Sequence, residues 1–173
     1  LRIHTGAAGG GSICSFEDGR YRVGPRSAGA DPGPACYGRG GPLTVTDCNL
    51  VSGKLRPAFF PRVFGPGGDA ALDERAARTA LEHVAADMRA AGVQPPSPEQ
   101  LADDFLHVAC ETMARAIKRI STQRGHDVTD HVLCCFGGAA GQHACLVADA
   151  LGMTQVLLHP LAGVLSAYGM GLA

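Results

Sequence analysis

The chain has 173 residues, of which 15 are Lys or Arg and 16 are Asp or Glu, so its formal net charge is −1. This balance argues against the strongly basic surfaces by which proteins bind nucleic acids or anionic membranes. Hydrophobic residues make up 46% of the chain and charged residues 18%, which supports one hydrophobic core and argues against disorder. The 24 glycines fall in clusters, which indicates tight turns or close approach of the backbone to a ligand.

The cysteines indicate a reducing compartment. There are seven of them, an odd number, and no two have the spacing C-x-x-C, so neither a disulfide scaffold nor a zinc ribbon is expected. Reduced thiols in a cytosolic protein fit this pattern better. No apolar stretch reaches the roughly 18 residues of a membrane-spanning helix. The chain begins without Met and ends within an apolar run, and we interpret it as a piece of a longer protein.

The first part of the chain is predicted to form short strands and ordered loops. Residues 1–68 contain most of the Gly and Pro and show no helical period. Residues 13–16 and 20–23 are predicted to pair as a hairpin, because Asp18 and Gly19 supply the positive φ of a tight turn. The segment at 24–41 is too rich in turn residues to predict a regular element there.

Helices are predicted after residue 68. Asp73 can cap a first helix whose apolar residues recur every three or four positions, and Gly92 can end it. Ser97, followed by Pro98, begins a capping box and predicts a second helix that runs to about Arg124.

The last third alternates strand and helix. Strands are predicted at residues 131–136 and 156–159, with one helix at about 142–151 and another that begins at Ala162. This order predicts two parallel strands joined by helical crossovers. In such sheets ligands lie at the carboxyl ends of the strands, which here is the glycine-rich segment at 137–141.

That glycine-rich segment is the first candidate site. It connects a strand to a helix, so its backbone can approach a nucleotide, and free amides at the start of the helix, at Gln142 and His143, can face an anion. It matches neither the dinucleotide-binding fingerprint nor a P-loop, and close packing of helix on strand is the alternative interpretation. For His143 the alternative is a hydrogen-bonded residue at the helix N-terminus. Residues 9–12 are equally open to two interpretations, an anion-binding nest and a sharp turn before the hairpin.

A second candidate site is a metal centre. His4, Cys36 and Asp47 are of metal-binding types and lie in loop-rich sequence, at separations of 32 and 11 residues that match no standard ligand spacing. A site there depends on the fold to bring the three together. A thiolate with an imidazole would favour zinc over magnesium.

Several motifs, in their order, resemble the hydantoinase A / 5-oxoprolinase family over essentially the whole chain. They are His4-Thr5, Ala8-Gly9-Gly10-Gly11-Ser12, Val23-Gly24-Pro25, Ser27-Ala28-Gly29-Ala30, Pro32-Gly33-Pro34-Ala35-Cys36-Tyr37, Thr44-Val45-Thr46-Asp47, Phe136-Gly137-Gly138-Ala139 and Ala162-Gly163-Val164-Leu165-Ser166-Ala167. Residues 64–67, 124–127 and 141–145 resemble the 5-oxoprolinase branch. At the last of these segments hydantoinases more often carry Pro-Leu-His after the glycines.

The resemblance implies an α/β architecture, part of an actin/Hsp70/sugar-kinase-like ATPase fold with a Gly/Pro-rich, loop-rich N-terminal part. Residues 1–68 would be the strand and loop region of the hydantoinase A domain, and residues 69–173 its helical and βαβα adenosine side. The resemblance implies that adenosine binds at the glycine-rich segment and at the first residues of the helix that follows it. These residues are Gly137, Gly138, Ala139, Gly141, Gln142 and His143. The family's two Gly-Gly-Thr phosphate loops have no counterpart in this sequence, so no catalytic residue is assigned.

The implied activity is ATP-dependent opening of 5-oxoproline to glutamate in the cytoplasm, with ATP and Mg²⁺ as cofactors and zinc as the candidate metal for the second site. The implied partners are the cyclic amide, the remainder of the hydantoinase A domain, a hydantoinase B-like domain and further copies of the full-length protein, with no nucleic acid and no membrane. Two alternatives remain open: a hydantoinase or ketone carboxylase subunit, and a non-catalytic ATP-sensing or assembly module. Without phosphate loops, the 173 residues alone are expected to bind ATP weakly and not to hydrolyse it.

Overall fold

The computed structural model describes residues 8–172, which form two compact units that divide within one long helix, between Ala109 and Cys110. The division at residue 68 rests on composition alone and stays a prediction. The helices and strands are β1 (Ser12–Glu17), β2 (Arg20–Ser27), α1 (Val45–Val51), α2 (Glu74–Ala90), α3 (Pro98–Gln123), β3 (Leu133–Cys135), α4 (Ala144–Leu151), β4 (Val156–Leu158) and α5 (Leu165–Leu172).

The first unit begins with the predicted hairpin. β1 and β2 pair antiparallel, and the turn between them has positive φ at Asp18 (52°) and Gly19 (74°). The prediction of no regular element at 24–41 is wrong at two places. β2 continues to Ser27, which pairs with Ser12 beyond an irregularity in the register, and a 3₁₀ turn forms at Ala35–Tyr37.

Helices build most of the core of the first unit. Asp73 caps α2 by accepting from the Ala76 amide at 3.1 Å, and the Ser97 hydroxyl accepts from the Gln100 amide at 3.2 Å at the start of α3. Both predicted helices are thereby confirmed, and each contributes fully buried apolar side chains to the interior. The largest fully buried apolar side chains are Val45, Leu81, Met88, Leu101, Phe105 and Leu106.

The second unit, residues 110–172, contains the two strands predicted to be parallel. β3 and β4 are parallel, with Leu133 opposite Val156 and Cys135 opposite Leu158. The helix predicted to start at Gln142 starts two residues later as α4, because residues 140–142 form a 3₁₀ turn. The buried core consists of Cys110, Ala114, Val128, Val147, Ala148, Leu151 and Met153. Within residues 8–172, no helix combines the length and the apolar character needed to cross a membrane.

Candidate functional site

The carboxyl ends of β3 and β4 meet at one edge of the second unit. Because the strands are parallel and in register, Cys135 and Leu158 end side by side. The loops that follow are joined, since the Gly137 amide donates to the Ala162 carbonyl at 2.8 Å. This shared edge, which we call the carboxyl edge, is the position at which α/β proteins bind ligands.

The glycines at the carboxyl edge have different roles. Gly137 has φ +103°, a conformation that side-chain-bearing residues rarely adopt. A Cβ on Gly141 would lie 3.3 Å from Leu158 Cδ2, so close packing accounts for that glycine. A Cβ on Gly138 would have no described atom within 4 Å, so within residues 8–172 packing gives no reason for a glycine there.

The residues that follow are tied into the turn. The Gln142 amide donates to the Ala139 carbonyl at 3.2 Å and the His143 amide to the Ala140 carbonyl at 3.1 Å. The expectation that these two amides are free to face an anion is therefore wrong, because the 3₁₀ turn uses both. His143 is buried, and its Nδ1 lies 3.9 Å from the Cys110 thiol. A contact of the Gln142 or His143 side chain with a nucleotide stays a prediction.

The chemical character of the carboxyl edge fits one part of a nucleotide. Residues 132–173 contain no Lys or Arg, so their side chains offer no permanent cation to a phosphate. Exposed apolar side chains are available instead, on Phe136, Leu161 and Val164. Open backbone at Gly138 beside apolar surface suits the nucleoside end of ATP rather than its triphosphate.

Asp47, one of the predicted metal ligands, has a full set of hydrogen bonds in the first unit. It is fully buried and accepts from the amides of Ala35 (3.1 Å), Cys36 (2.7 Å) and Thr44 (2.7 Å), and from the Thr44 hydroxyl (2.9 Å). These contacts cap α1 and fix the turn at residues 35–37 against it. Helix α1 was not predicted from the sequence, because the segment before it is rich in Gly and Pro. The Thr-x-x-Asp spacing of Thr44 and Asp47, which is typical of a capping box, is a signal that predicts this helix.

The environment of Cys36 favours the neutral thiol. Burial and the Asp47 carboxylate both raise the pKa of this thiol far above its ordinary value, whereas zinc binds the thiolate. The third predicted ligand, His4, lies outside the described residues. Among residues 8–172 there is no group of three or more His, Cys, Asp or Glu side chains arranged to hold a metal ion. The zinc site stays a prediction.

The second glycine cluster is a closed turn. The Gly9 amide donates to the Ser12 hydroxyl at 2.9 Å, and the Ser12 amide donates back to the Gly9 carbonyl at 3.0 Å. The Gly10 carbonyl accepts from both the amide and the hydroxyl of Thr46, each at 2.9 Å. Of the two interpretations of this segment, the geometry favours the turn, because these bonds join β1 to the start of α1.

Comparison with protein families shows which family the chain belongs to. The family model described as Hydantoinase/oxoprolinase matches residues 1–173. The chain belongs to the hydantoinase/oxoprolinase family. The resemblance inferred from the sequence motifs is thereby confirmed.

Relatives of this hydantoinase/oxoprolinase chain are far longer than it is. It is 49% identical to 5-oxoprolinase 1 of Arabidopsis thaliana, a match that includes 100% of this chain and 14% of the relative. It resembles the crystal structure of an ATP-dependent caprolactamase from Pseudomonas jessenii with a TM-score of 0.76 and 38% identity, over 94% of this chain and 22% of that one. The chain thus spans about a seventh of the length of its Arabidopsis relative.

A third comparison concerns the fold alone. The nucleotide-free structure of acetone carboxylase, from a study of ATP-dependent acetone carboxylation, matches with a TM-score of 0.75 at 24% identity over 94% of this chain and 22% of that one. Together with the four strands and five helices of residues 8–172, these neighbours confirm a mixed α/β fold of this family.

Proposed function

We propose that the chain is part of an ATP-dependent 5-oxoprolinase, which opens 5-oxo-L-proline to L-glutamate. The observation that carries the proposal is the 49% identity to an Arabidopsis 5-oxoprolinase across 100% of this chain. The residues at 64–67, 124–127 and 141–145, which resemble the 5-oxoprolinase branch, support the same substrate.

ATP has a defined chemical role in this reaction. The lactam carbonyl is a poor electrophile, and transfer of the γ-phosphoryl group to its oxygen would give an activated carbon that water attacks. The net reaction consumes two waters, one for the ring and one for the phosphoanhydride, and releases glutamate, ADP and phosphate. Mg²⁺ would accompany the triphosphate.

The part of this chemistry that we assign to the chain is binding of the adenosine group. We place the nucleoside at the carboxyl edge, against the backbone of Gly137 and Gly138, in one half of an actin-like ATPase. The open space at Gly138 and the absence of Lys and Arg from residues 132–173 support this assignment. The phosphate loops would belong to the large part of the protein that this chain does not span.

The surface of the second unit supports partner domains within the same protein. Val132, which directly precedes β3, and Leu157 on β4 are half exposed, and Met170 and Leu172 on α5 are 74% and 72% exposed. Parallel sheets are normally covered on both faces. We propose that the remainder of the hydantoinase A domain covers this surface. The full-length enzyme would also contain a hydantoinase B-like domain, would form a homo-oligomer and would reside in the cytoplasm.

A second candidate function is ATP-dependent action on another cyclic amide or on a ketone. The likeness to the caprolactamase structure, at 38% identity, favours it over a non-catalytic ATP-sensing or assembly module.

Measurement of ADP release by the intact gene product, with each substrate in turn, tests the proposal. We expect 5-oxoproline to stimulate ADP release and to yield one glutamate per ADP, whereas hydantoin, caprolactam and acetone with bicarbonate leave the rate near its basal value. The isolated 173 residues serve as the control and are expected to be inactive, since the phosphate donors are missing. Stimulation of ADP release by hydantoin, caprolactam or acetone, and not by 5-oxoproline, would favour the second candidate. A rate of ADP release that no substrate changes would favour the sensing module.

A further inference from the structure

Two stacked rings lie at the carboxyl edge beside the glycine loop. His159 directly follows β4, and Tyr168 lies on α5. Their ring centroids are 6.0 Å apart and their planes differ by 30°, which is a stacked arrangement. Both residues are exposed, with 46% of Tyr168 accessible. Exposed stacked rings offer a flat π surface that the hydrophobic core does not use.

His159 is held in place by the loop that follows it. The Leu161 amide donates to His159 Nδ1 at 3.0 Å, and the Ala162 amide donates to the His159 carbonyl at 2.9 Å. Because Nδ1 accepts a hydrogen bond, the ring proton resides on Nε2, which becomes a donor. The ring is therefore fixed both in orientation and in tautomer.

The same loop connects this ring pair to the glycines. Ala162 donates to His159 and accepts from Gly137, so two backbone hydrogen bonds join His159 to the glycine loop. Leu158, the last residue of β4, lies 3.3 Å from the position of a Cβ on Gly141, so the end of β4 packs against the glycine loop. His159 directly follows β4, and the half-exposed Phe136 directly follows β3 at the same edge of the sheet.

We propose that His159 and Tyr168 form the surface on which the base of ATP stacks, an inference that rests on the proposed function. Aromatic side chains bind nucleotide bases by stacking, a contact that an exposed ring face can make with any base. The segment from Val132 onward offers a phosphate no Lys or Arg side chain, and its single acidic residue is Asp149, so the rings are the recognition surface that it presents. The rings therefore give the carboxyl edge its preference for a nucleoside.

Calorimetric titration of the intact gene product with Mg-ATP tests this inference. His159→Ala and Tyr168→Ala are each expected to weaken ATP binding about tenfold or more, the size of a lost base-stacking contact. Tyr168→Phe keeps the ring and is expected to bind ATP within about twofold of the unmodified protein. His131→Ala is the matched control, because His131 is an exposed histidine with its own ring neighbour, His126, at the amino end of β3. Inorganic tripolyphosphate, which has no base, is expected to bind all these variants equally.

The outcomes separate this inference from the function on which it rests. Normal ATP affinity in both alanine variants, with binding lost in Gly138→Val, overturns the ring assignment and leaves the glycine loop assigned. Equal weakening of ATP and tripolyphosphate, or a lowered thermal midpoint in the alanine variants, shows a structural role for the rings and also overturns the inference. Absence of ATP binding by the unmodified protein overturns the proposed function itself.

Discussion

Replacing Asp47 with alanine is expected to destabilise the first unit, residues 8–109, by about 4 kcal/mol. The substitution leaves three buried amides and the Thr44 hydroxyl without the carboxylate that accepts from all of them. Each buried donor left unsatisfied costs about 1–3 kcal/mol, and relaxation of the loops recovers part of the sum. The cap of α1 is lost in the same step.

Alkylation of buried cysteines in the intact gene product measures this loss locally. Cys36 and Cys48 are fully buried, so a thiol reagent reaches them when the unit opens. A change of about 4 kcal/mol in the opening free energy accelerates their labelling by about 10³-fold. Asp87→Ala is the matched control, because Asp87 is exposed on α2, and we expect it to change stability by no more than about 0.5 kcal/mol.

The same labelling experiment examines the predicted zinc site. If the hydrogen bonds alone account for the role of Asp47, a chelator leaves the difference between Asp47→Ala and the unmodified protein unchanged. A difference that disappears after chelation would show that a bound metal, and not the capping network, makes Asp47 important. Labelling of Asp47→Ala at the unmodified rate would contradict the structural role that we assign to this carboxylate.

Gly138→Val is expected to weaken ATP binding by about 100-fold while the protein stays folded. A Cβ at Gly138 meets no described atom within 4 Å, so the valine side chain extends into the space that we assign to the nucleoside. A side chain that displaces the nucleoside from the backbone removes several contacts at once. A 100-fold loss of affinity corresponds to about 2.7 kcal/mol of binding free energy. Titration with Mg-ATP, beside the thermal midpoint, measures both quantities.

A second glycine provides the control for this substitution. A Cβ on Gly9 also has no described atom within 4 Å, but Gly9 lies in the first unit, away from the glycine loop in sequence. Gly9→Val is therefore expected to leave ATP affinity unchanged. A Gly138→Val protein that is folded and binds ATP normally would contradict the assignment of the nucleotide to this loop. A much lower thermal midpoint of this variant would show that Gly138 has a packing role instead.

Local signals explain what the sequence predicted well. Asp18 and Gly19 define their turn without help from the rest of the chain, and Asp73 and Ser97 cap α2 and α3 through bonds that span three residues. The parallel pairing of β3 and β4 followed from the order of strand, helix and strand. In each of these cases the physical cause lies within a few residues or in the connectivity.

Contacts between distant residues explain what the sequence did not predict. Asp47 accepts from the amides of Ala35 and Cys36 across 12 and 11 residues. Its residue type indicates a metal ligand, whereas the sequence does not show which amides donate to it. The stacking of His159 on Tyr168 depends on how α5 turns back toward the end of β4. The buried position of His143 against Cys110 likewise required the fold.

A structure of the intact gene product with a bound non-hydrolysable ATP analogue would show directly where the nucleoside lies. We expect adenosine atoms within about 4 Å of the backbone of Gly137 and Gly138, the distance of van der Waals contact. An analogue bound elsewhere, with both glycines facing solvent or another part of the protein, would contradict this expectation.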